Sequence, residues 1–498
     1  MSRLAPKEAL PSYGSVSTKA LVAENAESQT LDEKASIAIF LNAIIGPGIV
    51  ALPKLYQVSG WLLPSVILVV GGILAAFATV VRCETVALMP GNAEFGRRVE
   101  FGDPVREWLG ERAYYASHVG FYLASLATSI SSITTVASTT DSALAYIFGR
   151  SWAVFVFKDD GVSGPVFVFR AWGLDHCDMN EPCRPFFTGG DFRGEVLISL
   201  GYALSTVVLL PMCLSRISDS MALQYASAAV CVLSLCVFVG HGVVLALGSD
   251  GFGEVATVQT AQDKTGGVVV FNLMYGIFVS TWLNEKLPRV DARAVIYKAA
   301  GLSTCAFVAF AAVLGAALTD MDWNALTYFT SKGTPWVVRS AALAFGWFVI
   351  ASGVPVSCVM ATQNLATELD ERYARFLGAV VPFLISWTCT SALTFTEVVN
   401  LSGVFIVAPL ALVLPFVLRL AADRPLKDEE GLLAWFASHL TYVAPFDDNS
   451  PHDALPDSAY VRRRRRPIYA TVILVLSAWI VSLMLDVIFM PLFNPKGT

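Results

Sequence analysis

A lipid bilayer has an apolar core about 30 Å thick, and a helix crosses it with roughly 20 mostly apolar residues. This sequence holds eleven such stretches, near 35–56, 60–81, 113–148, 195–214, 221–247, 267–284, 298–318, 335–362, 377–395, 398–418 and 467–489. Strands of a membrane barrel would instead show alternating segments of about 10 residues. The stretches therefore read as helices, and continuous strands are not expected. Only 15% of the 498 residues are charged, against about 25% in soluble domains. That is too little charge to coat a water-facing surface, so several segments must face lipid. A net charge of −6 and the lack of a basic domain exclude nucleic acid as a partner.

Lysine and arginine set the orientation. With the N-terminus in the cytosol, 24 of the 34 fall on the inner side, among them the run Arg462–Arg466. The expected organisation is a disordered cytosolic tail over 1–34, a transport core over 35–420, a charged cytosolic loop over 421–466, an eleventh span over 467–489 and a non-cytosolic tail over 490–498. The core includes a polar outer loop, about 149–194, that carries Cys177 and Cys183. On the oxidising side of a membrane these two are expected to form a disulfide.

The most informative stretch within a span is Asn42-Ala43-Ile44-Ile45-Gly46-Pro47-Gly48, continuing to Leu52-Pro53. Pro47 has no N–H and clashes with the preceding turn, while Gly46 and Gly48 open backbone angles closed to other residues. The helix should break there, near the membrane midplane. Freed backbone groups are tolerated in a membrane only where they are buried in protein or line a cavity. A broken helix offers N–H groups to a carboxylate at one end and carbonyls to a cation or ammonium at the other. Five spans later comes Phe271-Asn272-Leu273-Met274-Tyr275-Gly276, running on to Ser280-Thr281-Trp282, where a second interruption near Gly276 is expected. Spans 1–5 and 6–10 would then form two inverted five-helix units, with span eleven added.

Asn42 to Pro53, followed by Ser59-Gly60-Trp61, resembles the signature of the amino acid/auxin permease family. Leu210-Pro211 through Arg216 with Tyr225-Ala226-Ser227, Glu285-Lys286 with Pro288, and Asn400-Leu401-Ser402-Gly403 resemble further family segments, so the likeness spans most of 35–420. It implies an all-α integral membrane protein of eleven transmembrane helices, with a LeuT-like 5+5 inverted repeat plus one extra helix. It also implies amino acid transport coupled to H+ or Na+. Two departures leave the ion open. Gly276 and Thr281 stand where many members carry His and Pro, and Gly353 precedes Val354-Pro355 where sodium-coupled members have Thr or Ser, with Ser352 one position earlier.

The candidate substrate-binding residues are Ile45, Gly46, Gly48, Asn272, Tyr275, Gly276 and Ser280, and the candidate ion-coupling residues are Asn42, Ser352 and Ser357. Asn42 fits an interhelical hydrogen bond equally well. Span three is rich in Ser and Thr from Thr128 to Thr140, which suits either a hydrated face or close helix packing, and Asp141 ends that run near an outer edge. No nucleophile–base pair or metal motif stands at useful spacing, so an intramembrane enzyme is not expected. The reading is a secondary transporter of amino acids, most of all neutral ones, without a cofactor and acting as a monomer. The plasma membrane and a vacuolar or lysosomal-type membrane both fit. A transporter-shaped sensor that signals through a partner is the alternative.

Overall fold

The computed structural model describes residues 30–93, 95–158, 165–172, 196–214, 221–248, 257, 265–318, 321, 323–331, 333–389, 392–423 and 459–493. The first helix, α1 (Glu33–Ile44), is started by Asp32, whose carboxylate accepts the Ala35 N–H at 2.8 Å. It stops at Ile45, and the chain resumes as a 3-10 turn at Pro47–Ala51 that runs into α2 (Leu52–Ser59). The axis bends by 44° between Glu33–Ile44 and Pro47–Ser59. Next come α3 (Leu62–Ala87) and α4 (Asp103–Phe148). The latter is longer than the apolar stretch at 113–148, because a short leading segment joins it at a kink where Gly110 takes φ +81°.

The segment after α4 corrects the expectation of no strands. β1 (Ser151–Lys158) pairs antiparallel with both β2 (Pro165–Trp172) and β3 (Val196–Ser199), in the order β2-β1-β3. Its sequences, Ser-Trp-Ala-Val-Phe-Val-Phe-Lys and Pro-Val-Phe-Val-Phe-Arg-Ala-Trp, are β-branched and aromatic, which favours a pleated ribbon. The chain is thus mostly helical rather than all-α. Cys177 and Cys183 lie outside the described residues.

The remaining helices are α5 (Leu200–Cys213), α6 (Met221–Gly248), α7 (Thr265–Phe271), α8 (Val279–Glu285), α9 (Ala292–Ala317), α10 (Ala325–Phe329), α11 (Trp336–Ala344), α12 (Ala351–Leu365), α13 (Glu371–Arg375), α14 (Val381–Ser386), α15 (Ala392–Ser402), α16 (Leu414–Asp423) and α17 (Ala459–Phe493). Wider π-type turns join α11 to α12, α13 to α14 and α15 to α16. Among the described residues, eight helices are long and apolar enough to cross a bilayer, or nine when the bent first pair counts as one span. Two of the expected eleven fall short. The fourth begins as strand β3, which leaves α5 with 14 residues, about 21 Å of helix. The ninth ends at Ser386, before a turn at Trp387 and Thr388.

Burial sorts the spans. The segment Thr265–Glu285 is 89% buried and central, whereas Leu223–Gly248 and Ile468–Leu485 are only 28% buried. The exposed side chains of the outer helices are large and apolar, including Ile73, Val207, Leu233, Leu247 and Val475. An exposed belt of this kind is stable only against lipid. The chain is a multi-pass integral membrane protein.

Candidate functional site

The break in the first span follows from backbone chemistry. The carbonyl of Ala43 would take its helical hydrogen bond from residue 47, but Pro47 has no N–H. The carbonyl of Asn42 would take its bond from Gly46, whose N–H instead donates to Ile44 O at 3.0 Å. Two carbonyls are therefore released from the helical pattern, and Asn42 and Ala43 both line a cavity. The second interruption lies where it was expected. α7 ends at Phe271, Asn272 and Leu273 form a turn, Met274–Phe278 is a 3-10 turn, and α8 follows.

The two breaks touch. A Cβ added at Gly48 would sit 2.7 Å from Asn272 Oδ1 and 2.8 Å from Asn272 Nδ2. Position 48 is thus held to glycine by the amide packed against it. Asn272 Nδ2 donates to Val268 O at 2.8 Å, and its buried Oδ1 has no protein partner.

The cavity holds about 920 Å³ of empty space, its mouth included, between α1, α4, α6, the Tyr275–Glu285 segment and α12. Lining positions Ile39, Ala43, Gly46, Thr281 and Glu285 are half-buried, while Ile49 to Leu52, beyond the break, are 0% exposed. It is therefore reached from the N-terminal side of the break. At that end the N–H groups of Thr30 and Leu31 both donate to Glu285 O at 3.0 Å, and Leu287 N–H donates to Leu31 O at 2.9 Å. Lys286, just past the span, donates to Val290 O at 3.2 Å and sits 4.8 Å over the Phe95 ring. Burial pulls the pKa of its ammonium below the ordinary lysine value. A second hollow of about 1010 Å³ lies between α3 and α9. It borders Ile73, which is 65% exposed, and so faces lipid.

Of the candidate residues, Gly46, Tyr275, Asn42 and Ser357 line the cavity. Ile45 is 3% exposed within the core. Gly276 faces α3, where an added Cβ would come within 2.6 Å of Thr79 Oγ1, so it is a packing position. Ser280 is buried beside the cavity, and its neighbour Thr281 lines it. One residue is about 100° of helix rotation, which explains the offset.

Asn42 and Ser352 are brought together through a residue not chosen for this role. Asn42 Nδ2 donates to Gln224 O at 3.0 Å and Gln224 Oε1 at 2.8 Å, while Asn42 Oδ1 accepts from Ser227 Oγ at 3.0 Å. Ser227 Oγ lies 3.1 Å from Ser352 Oγ. Ser357 stands apart from this cluster. The interhelical hydrogen bond open to Asn42 is therefore formed.

Gln224, Phe40, Trp282 and Glu285 also line the cavity and were not singled out. A long polar side chain in an otherwise apolar span marks Gln224 in the sequence. Gln224 Nε2, Tyr275 Oη and Trp282 Nε1 are buried without a protein partner, a state that calls for a ligand or water. In the Ser/Thr-rich stretch, Thr128 and Ser132 line the cavity. Thr135, Thr139, Thr140 and Ser142 donate to carbonyls one turn back. Asp141 is not solvated but 0% exposed, accepting from Ser151 Oγ at 2.7 Å and Gly201 N–H at 2.8 Å.

Two interrupted spans that meet beside a cavity in a multi-pass helical protein are the hallmark of a carrier. Residues 32–160 match the family described as transmembrane amino acid transporter protein, which bears out the resemblance read from Asn42–Pro53. No curated protein matches the chain. Similar solved structures include a manganese transporter of Eremococcus coleocola in complex with an aromatic bis-isothiourea substituted compound, at 14% identity and TM-score 0.46, covering 96% of this chain and 97% of that one. Two mutants of that transporter align similarly, at 14% and TM-score 0.47 over 96% and 97%, and at 13% and 0.46 over 97% and 97%.

Proposed function

We propose that the protein is a secondary transporter of amino acids, not an enzyme, working by alternating access. The observation that carries this reading is the cavity beside the first break, lined by Asn42 and Ala43, whose carbonyls are released from the helical pattern. Carbonyl dipoles at a helix C-terminus suit an ammonium, and the opposite half-helix, from Pro47 and Gly48 onward, suits the carboxylate. Asn42, Ser227 and Ser352 form the oxygen-rich cluster at which a coupling ion, H+ or Na+, acts. The ion drives transport only by favouring one conformation over the other. An eleven-span arrangement with two inverted five-helix units is supported by the placement of the two breaks in spans one and six. The lysine and arginine asymmetry supports a cytosolic position for the cavity's accessible end.

The test is uptake of radiolabelled amino acids into liposomes carrying the purified protein, with a proton or a sodium gradient imposed. Accumulation that collapses when the gradient is dissipated is the expected result. Saturable binding with no net flux would favour the sensor instead.

A further inference from the structure

We infer that the cavity selects zwitterionic amino acids with a large apolar side chain and rejects those whose side chain is charged. This rests on the amino acid transport proposed above and adds the substrate class.

The walls carry the argument. Phe40, Phe278 and Trp282 line the cavity on one side, and Ile350, Val356 and Met360 on the other. The aromatic wall is fixed by its own contacts. Phe40 meets Trp282 edge-on at 4.9 Å and Tyr275 at 6.3 Å, while Phe278 meets Phe121 at 6.3 Å. Rings interlocked in this way are worth more than their buried area alone, so the wall is in place before a ligand arrives.

Part of the polar lining is committed elsewhere. Asn42 and Gln224 bond each other, and Thr128 Oγ1 donates to Ala124 O at 2.9 Å and Met274 Sδ at 3.2 Å. The unpaired Gln224 Nε2, Tyr275 Oη and Trp282 Nε1 are neutral groups. Among the described residues no lysine or arginine lines the cavity, so an acidic side chain would enter unpaired. The one charged lining residue among the described residues is Glu285, beside Leu31 at the end where the cavity is reached. A basic side chain buried deeper would leave that partner behind. Burying an unpaired charge is far costlier than any apolar gain available here. A leucine or phenylalanine side chain fully buried gains roughly ten- to a hundred-fold over glycine.

The experiment measures gradient-driven uptake into liposomes, with proton and sodium gradients imposed together, for glycine, alanine, leucine, phenylalanine, glutamine, lysine and glutamate. Leucine and phenylalanine are expected to exceed glycine by roughly tenfold or more, with lysine and glutamate at background. Stronger uptake of glycine, glutamine, lysine or glutamate than of leucine and phenylalanine overturns the inference and leaves amino acid transport standing. No accumulation of any amino acid overturns both. A variant then locates the selectivity. Val356→Phe narrows the cavity and should reduce phenylalanine uptake at least tenfold relative to alanine. An equal fall for both overturns the assignment of this wall. Val356→Ala, which adds space to the same wall, should raise phenylalanine uptake relative to alanine and serves if the larger residue prevents folding; an unchanged ratio overturns the assignment of this wall.

Discussion

Gly46 separates a cavity wall from a structural hinge, because two glycines of one motif have opposite surroundings. Gly46 sits at φ −104°, ψ −161°, an extended conformation open to every residue. A Cβ built there meets no atom within 4 Å. Gly46→Ala should therefore leave the fold intact, with a change near +0.4 to +1 kcal/mol from restriction of the unfolded chain. Gly46→Val extends two further methyl groups into space beside the released carbonyls. If the substrate ammonium docks there, overlap that weakens binding by about 2.8 kcal/mol lowers uptake at subsaturating substrate a hundredfold. The assay pairs uptake into liposomes with thermal stability of the purified protein across wild type, Gly46→Ala and Gly46→Val. The expected outcome is a graded loss of transport at unchanged melting temperature. Wild-type uptake by Gly46→Val would refute docking at the first break, and unfolding of Gly46→Ala would refute the open surroundings of this position.

Gly48→Ala, only two residues on, should behave in the reverse way. Its Cβ would meet the Asn272 amide at 2.7–2.9 Å, an overpacking cost of about 1–3 kcal/mol that Asn272→Ala relieves, as a double-mutant cycle on melting temperature would show. Asp141→Ala leaves the Ser151 hydroxyl and Gly201 N–H without their buried acceptor, a loss of roughly 3 kcal/mol that should raise hydrogen exchange in Ser151–Lys158, whereas Asp141→Asn is milder. At Glu368 the Tyr114 hydroxyl (2.7 Å) and the Arg106 guanidinium (2.8 Å) favour the carboxylate and hold its pKa below the ordinary glutamate value. A depressed folded-state value means that this contact contributes fully above the unfolded value of about 4.3 and is lost as pH falls through the lower one. Glu368→Gln should therefore lower the melting temperature more at pH 7 than at acid pH, where the carboxyl is progressively protonated; an equal loss at both would exclude the ionised contact.

The helices were legible because lipid imposes a length and a composition on each of them. The same rule hid what it does not govern. Residues 151–158 and 165–172 are β-branched and aromatic like strands, but their neighbours in sequence are polar and rich in Gly and Pro, so the whole segment reads as a polar loop. The fourth apolar stretch starts at 195 because Val196-Leu197-Ile198 is as apolar as a helix, although β-branched side chains and pairing with β1 make it a strand. Periodicity alone does not separate a short apolar strand from a helix end. The leading turns of α4 were missed because Gly110, with its positive φ, joins a charged helix to an apolar one without a gap.

The site divided along the same line. Pro47 was readable because a missing N–H acts locally, whatever the rest of the chain does. The glycines are different, since Gly46 takes angles open to any residue and Gly48 is required only by Asn272, far along the chain. Asn42 was not readable, since its amide suits an ion or another helix, and the choice depends on Gln224, 182 positions away. The structure shows why both readings fitted one residue. Asn42 Oδ1, Ser227 Oγ and Ser352 Oγ stand in a row at 3.0 and 3.1 Å, joined by hydroxyl protons. Turning those protons outward converts the same three oxygens from a hydrogen-bonded chain into acceptors. A cation would then compete with the helix contact between α1 and α6 rather than fill an independent hole, and such competition would supply the differential affinity by which an ion can shift a conformational equilibrium.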